Sequence, residues 1–130
     1  MDPIQQFLAQ KRFAVVGAST DRTKFGNKVL RCYVQNGRDA VPVNPKDAVV
    51  EGLAAFKSLA EIHPAPDAVS VITPPKVTEA VVEEAGRLGI RHLWIQPGAE
   101  SDAAIARAKA LGMNVIAGGP CLLVALGFRD

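Results

Sequence analysis

The sequence predicts an α/β domain built on a mainly parallel five-stranded sheet with helices on both faces. Three observations carry that prediction. Short apolar runs alternate with helical stretches of about ten residues, the pattern of successive βαβ units. The runs are apolar throughout instead of alternating with polar residues, as in strands buried on both faces. Aromatic residues make up only 5% of the 130, so Val, Ala, Leu and Ile must build the core, which suits helices packed on a parallel sheet. Right-handed crossovers then give a Rossmann-like three-layer fold. No linker, repeat or low-complexity stretch appears, so residues 1–130 read as a single domain.

The elements follow in order. Asp2-Pro3 reads as an N-cap with proline at the first helical position, opening a short helix to about Lys11. Phe13 to Val16 form the first strand, with Gly17 at its exit. A loop spans 18–25. The helix at 26–36 should turn Val29, Leu30, Tyr33 and Val34 inward and stop at Asn36-Gly37. Ala40 to Val43 form the second strand, where Pro42 predicts a sheet edge or a strand end. Asn44-Pro45-Lys46-Asp47 is a turn, and 49–56 an extended segment around Gly52. Ser58 should cap a short helix through Ile62, which Pro64 and Pro66 stop.

The third strand spans Asp67 to Thr73. A helix from about Lys76 to Leu88 should bury Val77, Ala80, Val81, Ala85 and Leu88, leaving Glu79, Glu83 and Glu84 on a solvated face. His92 to Gln96 form the fourth strand, with Trp94 in the core or an interface, and Pro97-Gly98 turn the chain. Ser101 caps a helix ending at Leu111-Gly112. Asn114 to Ala117 form the fifth strand, and a last short helix is expected at 120–127.

The net charge of +2 is too small, and the basic residues too dispersed, to argue for nucleic acid. One local bias stands out: Arg22, Lys24, Lys28 and Arg31 are opposed only by Asp21. That is either a solvated helix face or an attraction for an anion. Two cysteines without a CxxC make no disulfide framework, and the scattered ligand types with no HExxH predict no metal site. The first residues lack a basic stretch and a long apolar run, so no signal peptide is expected. Residues 113–128 are uncharged but number only about 16 around a Gly-Gly-Pro break, short of a bilayer span. The expected setting is reducing and cytoplasmic, with no membrane.

In open parallel sheets, ligands bind beyond the carboxyl ends of the strands, near the switch in strand order. Gly17 permits a tight turn there, Gly26 permits close approach at a helix start, and Ser19 and Thr20 supply hydroxyl donors. The helix N-terminus offers free N–H groups, and Arg22 and Lys24 add charge around Phe25. This describes a polyphosphate site. On this reading Gly26→Val should block phosphate with modest harm to folding. A plain βα loop relieved of crowding by its glycines is the alternative. The dinucleotide pattern GxGxxG is not met, since position 19 is serine, and no carboxylate precedes Asp47 after the second strand. Lys46 at that point suits an adenine nucleotide with an extra phosphate, either the 2′-phosphate of NADP or the 3′-phosphate of coenzyme A (CoA).

Phe13 to Cys121 resembles the CoA-binding domain family, the small stand-alone relatives of the N-terminal domain of the succinyl-CoA synthetase alpha subunit. The matching pieces are VVGAS at 15–19 with Gly26 downstream, PVNPK at 42–46, DAVSVITPP at 67–75, LWIQPGA at 93–99 and the Gly-Pro-Cys at 119–121. The resemblance implies that Gly17, Ala18, Ser19, Thr20 and Gly26 hold the CoA phosphates. It implies that Val43, Asn44, Pro45 and Lys46 lie near the adenosine and its phosphate. Thr73, Pro74 and Pro75 would border the nucleotide or the pantetheine arm. Arg22 and Lys24 are assigned as phosphate partners on charge alone. The synthetase's phosphorylated histidine lies on a second domain without counterpart among these residues, so the resemblance implies binding of CoA or an acyl-CoA without catalysis. Two other functions stay open: an NAD(P)-binding redox-sensing domain, and the CoA-binding subunit of an acyl-CoA ligase assembled with a separate partner chain.

His63 and His92 read as structural, with no triad partners nearby. Cys32 reads as core. Cys121 is either a reactive thiol close to the CoA sulfur or a small packed residue.

Overall fold

In the computed structural model, which describes residues 1–130, Asp2 opens the first helix, α1 (Pro3–Leu8). Its carboxylate accepts the Gln5 N–H while the Gln5 side chain accepts the Asp2 N–H, a complete capping box. The helix stops short of the expected Lys11, and β1 (Arg12–Val16) follows. Next come α2 (Phe25–Gln35) and β2 (Asp39–Val43), then a small hairpin of β3 (Val49–Val50) and β4 (Leu53–Ala54). The second half consists of β5 (Ala68–Val71), α3 (Pro75–Arg87), β6 (His92–Ile95), α4 (Asp102–Ala110) and β7 (Asn114–Ile116).

The five long strands form one sheet in the order β2-β1-β5-β6-β7, and every pairing in it is parallel. The chain moves outward from β1 to β2, then crosses back to β5 on the other side. The switch in direction therefore falls between β1 and β5, as in the 2-1-3-4-5 class of doubly wound sheets.

Successive strand residues feed two cores. Ala14, Val16, Val69, Val71, Leu93 and Ile95 pack with Val81, Val82, Ala85, Ala104 and Ala108 of α3 and α4. Phe13, Val15, Trp94 and Ile116 pack on the other face with Phe7, Val29, Leu30, Tyr33 and Leu122. Phe13 stacks on Tyr33 with 4.8 Å between ring centroids, and Phe7 meets Trp94 edge-on at 5.3 Å. Each such fully buried side chain contributes roughly 1.5–3 kcal/mol relative to exposure. The Tyr33 hydroxyl and Ser70 Oγ lie 2.6 Å apart, so both buried hydroxyls are satisfied.

Pro42 confirms the edge reading. The Pro42 carbonyl points outward and accepts the Phe56 N–H at 3.0 Å. A residue's N–H and C=O share one side of a strand, so its missing N–H costs β1 no ladder bond. The extended segment around Gly52 is a tight hairpin turned by Glu51 at φ +51° and Gly52 at φ +76°.

Several expectations need correction. Val34 is about half exposed, because the C-terminal turn packs on α2 beside Cys32 and shifts the buried stripe away from it. In α3 the inward face is Thr78, Val81, Val82 and Ala85, while Val77, Ala80 and Leu88 are exposed. Starting the helix at Pro75 lets Thr78 face inward, where its hydroxyl pairs with that of Thr73 at 2.7 Å. Glu79, Glu83 and Glu84 are not merely solvated. They accept from Ser101 Oγ, the Arg107 guanidinium and the Leu59 N–H, so they fasten neighbouring segments to α3. Ser58 precedes a single 3₁₀ turn (Leu59–Glu61) and makes no capping bond, whereas Ser101 caps α4 through the Ala104 N–H. The last expected helix is one π-type turn at Leu123–Gly127. No helix is long and apolar enough to cross a membrane.

Candidate functional site

The carboxyl ends of β1, β2 and β5 meet at Gly17. Its N–H donates to the Val43 carbonyl at 3.4 Å, and its φ of +97° turns the chain sharply out of the sheet. A Cβ at this position would lie 1.8 Å from the Ile72 carbonyl oxygen, so only glycine fits against the end of β5. Gly26 is equally constrained. A Cβ there would lie 2.0 Å from the Gly17 carbonyl oxygen, so the start of α2 rests directly on the exit of β1. Gly26 therefore serves helix–strand packing. The expectation that Gly26→Val would harm folding only modestly is overturned.

The loop between them is internally braced. Ala18 is buried, and its carbonyl accepts Asn44 Nδ2–H at 2.9 Å. The Ser19 carbonyl accepts Asn27 Nδ2–H at 2.8 Å, and Ser19 Oγ accepts the Asp21 N–H at 3.0 Å, which leaves the Ser19 hydroxyl hydrogen free to donate. Asp21 accepts both the N–H and the hydroxyl of Thr23, and these bonds hold its carboxyl below the usual range. Thr20 and Lys24 are exposed. The Arg22 guanidinium pairs with Glu51 at 3.3 Å, so the hairpin already engages this cation.

Beneath the loop, Asn27 is fully buried. It donates to Ser19 and Glu51, and it accepts Arg31 Nε–H at 2.7 Å. Arg31 in turn donates to the Arg22 carbonyl and to Asp130. Lys24, at the N-cap of α2, makes no side-chain capping bond, so the N–H groups of the first turn stay available to an anion. The other helix at this edge differs. Pro75 stands in the first turn of α3 and supplies no N–H there.

The turn after β2 is built by one side chain. Asn44 Oδ1 accepts the N–H groups of Lys46 and Asp47 at 2.7 and 2.9 Å. Pro45 and Lys46 are thereby held exposed beside a cavity of about 180 Å³, which Ala48, Ala55 and Lys57 also line. A second cavity, of about 320 Å³, opens between Phe25 at the start of α2, Thr73-Pro74 after β5, and Pro97 to Ala99 after β6. Its walls are mostly apolar side chains. The fold thus brings all the expected site residues to one edge of the sheet.

A profile of the CoA binding domain matches residues 11–127 of this chain. The chain belongs to the CoA binding domain family. It is similar to the alpha subunit of the ADP-forming acetate–CoA ligase II of Pyrococcus furiosus, at 30% identity over 93 residues, 71% of this chain and 20% of that subunit. The chain thus spans a fifth of that relative. It is also similar to the uncharacterized protein YneT of Bacillus subtilis, at 31% identity over 106 residues, 82% of this chain and 78% of that one. Among solved structures, a conserved hypothetical protein from Pyrococcus furiosus superposes with a TM-score of 0.83 at 35% identity, covering 88% of this chain and 98% of that one.

Other polar groups of this CoA binding domain sort by edge. His92 stands at the amino end of β6, where Nδ1 lies 3.2 Å from Asn114 Nδ2, and burial lowers its pKa. It lies across the sheet from the loops described above. Cys32 is buried beneath the C-terminal turn, and burial pushes its thiol up to about 11. Cys121 is half-buried after β7, and its carbonyl caps that turn. One residue escaped the sequence reading. Gln96, at the carboxyl end of β6, is fully buried. A polar residue closing an apolar strand was the available signal.

Proposed function

We propose that this CoA binding domain binds coenzyme A along the carboxyl edge of its sheet and has no catalytic machinery of its own. The observation that carries the reading is the joint placement of two phosphate-suited elements by the Asn44–Ala18 bond. One is the braced loop with the uncapped start of α2, and the other is the Lys46 turn. The pyrophosphate sits over the first loop, against Gly17, Ala18, Ser19, Thr20 and the N–H groups at Phe25 and Gly26. Lys24 adds long-range attraction, and so does Arg22 if it exchanges Glu51 for phosphate. The adenosine 3′-phosphate lies by Lys46, with Val43, Asn44 and Pro45 forming the floor. The pantetheine arm runs over the cavity beside Phe25, Thr73, Pro74 and Pro75.

The groups at this edge bind but do not react. No hydrogen bond joins the hydroxyl of Ser19 or Thr20 to a carboxylate or an imidazole, and His92 lies at the opposite end of the strands. A calorimetric titration with CoA tests the reading: saturable micromolar binding supports it, and no heat at millimolar CoA contradicts it.

A second reading rests on the likeness to a ligase alpha subunit. Here the domain presents CoA to a partner chain that carries the acyl-transfer chemistry. Co-purification of a nucleotide-binding ligase subunit with the tagged protein supports this reading, and a monodisperse monomer at native expression levels argues against it.

A further inference from the structure

Residues 128–130 lie along α2, beyond the stretch 11–127 that the family profile matches. Gln35 makes two bonds to Arg129. Its Nε2 donates to the Arg129 carbonyl at 2.6 Å, and its Oε1 accepts the Arg129 N–H at 3.0 Å. The Arg31 guanidinium lies over the Phe128 ring, 5.1 Å from its centroid. These contacts deliver the Asp130 carboxylate to two cations of α2. Oδ1 accepts from Arg31 Nη1 and Nη2 at 3.3 and 3.2 Å, and Oδ2 lies 3.2 Å from Lys28 Nζ. Lys28 and Arg31 hold this carboxyl below its usual range.

The Asp130 side chain is 63% exposed, and an exposed ion pair adds little to stability on its own. Arg31, by contrast, is buried, and the rest of its guanidinium grips the first loop. Nη2 also donates to the Arg22 carbonyl at 3.0 Å. Nε donates to Asn27 Oδ1 at 2.7 Å, which turns Asn27 Nδ2 toward the Ser19 carbonyl at 2.8 Å and Glu51 at 3.0 Å. Glu51 in turn holds the Arg22 guanidinium. The guanidinium is a rigid planar fork, so fixing Nη1 and Nη2 also fixes the direction of Nε. One carboxylate on the segment after the last turn thus reaches two carbonyls of the loop after β1.

We propose that Asp130 is a positioning residue for the phosphate site: through Arg31 and Asn27 it holds Ser19 and Arg22 of the first loop in their anion-binding arrangement. The inference rests on the CoA reading above and adds a residue from outside the family match that governs its affinity. A carboxylate beside an anion's site would by itself repel the ligand, so the field of Asp130 and its positioning act in opposite directions.

The test compares CoA titrations of the whole chain as wild type and as Asp130→Ala, with urea melts alongside. The variant should bind CoA about three- to tenfold more weakly, the effect of releasing one charge-assisted contact, while its midpoint moves little. Asp130→Asn keeps an acceptor for Arg31 and should lie between the two. Affinity equal to wild type overturns the inference whatever the melts show, because a merely structural role moves only the midpoint. Tighter binding, as loss of a repelling charge would give, overturns it as well. A second measurement needs no ligand: backbone amide resonances of residues 19–24 should shift in Asp130→Ala, and resonances that stay in place overturn the inference. Wild-type protein that takes up no CoA sinks the parent reading and this inference with it. A wild type that binds CoA with an indifferent Asp130 sinks this inference alone.

Discussion

Asn44 Nδ2 donates to the carbonyl of Ala18 at 2.9 Å, joining the turn after β2 to the loop after β1. The same side chain's oxygen takes the N–H groups of Lys46 and Asp47. One amide thus shapes the second loop and anchors it to the first. Asn44→Ala leaves the buried Ala18 carbonyl and two N–H groups without partners and should cost about 1–3 kcal/mol of stability. Asn44→Asp keeps the acceptor but loses the donor to Ala18 and to the Asp47 carboxylate 3.4 Å away, and sets a charged oxygen against both. It should lower both stability and CoA affinity, as read by urea melts beside calorimetry. Undiminished CoA affinity in Asn44→Asp would show that the link does not position the ligand.

Gly17 and Gly26 form one stacked contact, and both should prove intolerant. A Cβ at either would meet a backbone oxygen at 2.0 Å or less, and Gly17 also holds φ +97°. Gly17→Ala and Gly26→Val should each lower stability by roughly 2 kcal/mol or more. A denaturant midpoint close to wild type in either variant would show that α2 can shift off β1.

The strands and Gly17 were legible because apolar runs ending in glycine have few other meanings. The tight turn at Gly17 was legible too, whereas the Ile72 and Gly17 oxygens that crowd the two glycines come from tertiary packing. The face of α3 was misread for a similar reason: a threonine can face the core once a distant hydroxyl, here Thr73, satisfies it. Val34 was misassigned because the covering turn lies about 90 residues away in sequence. Arg22 was read from charge alone, and its partner Glu51 sits on a hairpin of two-residue strands, too short to show periodicity.

Lys46 is exposed and forms no salt bridge, beside a cavity that Asp47 and Glu61 also line. Lys46→Ala should cost about 1–3 kcal/mol of CoA affinity if the ammonium makes a charge-assisted contact with the 3′-phosphate. The loss should be smaller for dephospho-CoA. Equal losses for the two ligands would place Lys46 away from that phosphate.

Cys32 makes a prediction about pH. Burial, with the neighbouring Cys121 adding to it, raises its thiol from 9.0 to about 11 in the folded chain. The folded value exceeds the unfolded one, so stability tied to the neutral thiol is intact below pH 9.0 and is lost as pH climbs through about 11. Urea melts across that window should show wild type losing stability more steeply than Cys32→Ala. Parallel curves would show that the thiol is not sequestered. At neutral pH an alkylating reagent should label Cys121 first, with Cys32 reacting only on unfolding.

On the proposed reading the paired loops recognise CoA through its phosphates. Calorimetric titration with CoA, run beside dephospho-CoA, NADP and NAD, decides between this recognition and its rivals. Micromolar CoA affinity that falls without the 3′-phosphate and exceeds that for both nicotinamide nucleotides is the expected result. Clear NADP or NAD binding with no CoA binding would contradict the account and hand the first loop to a dinucleotide.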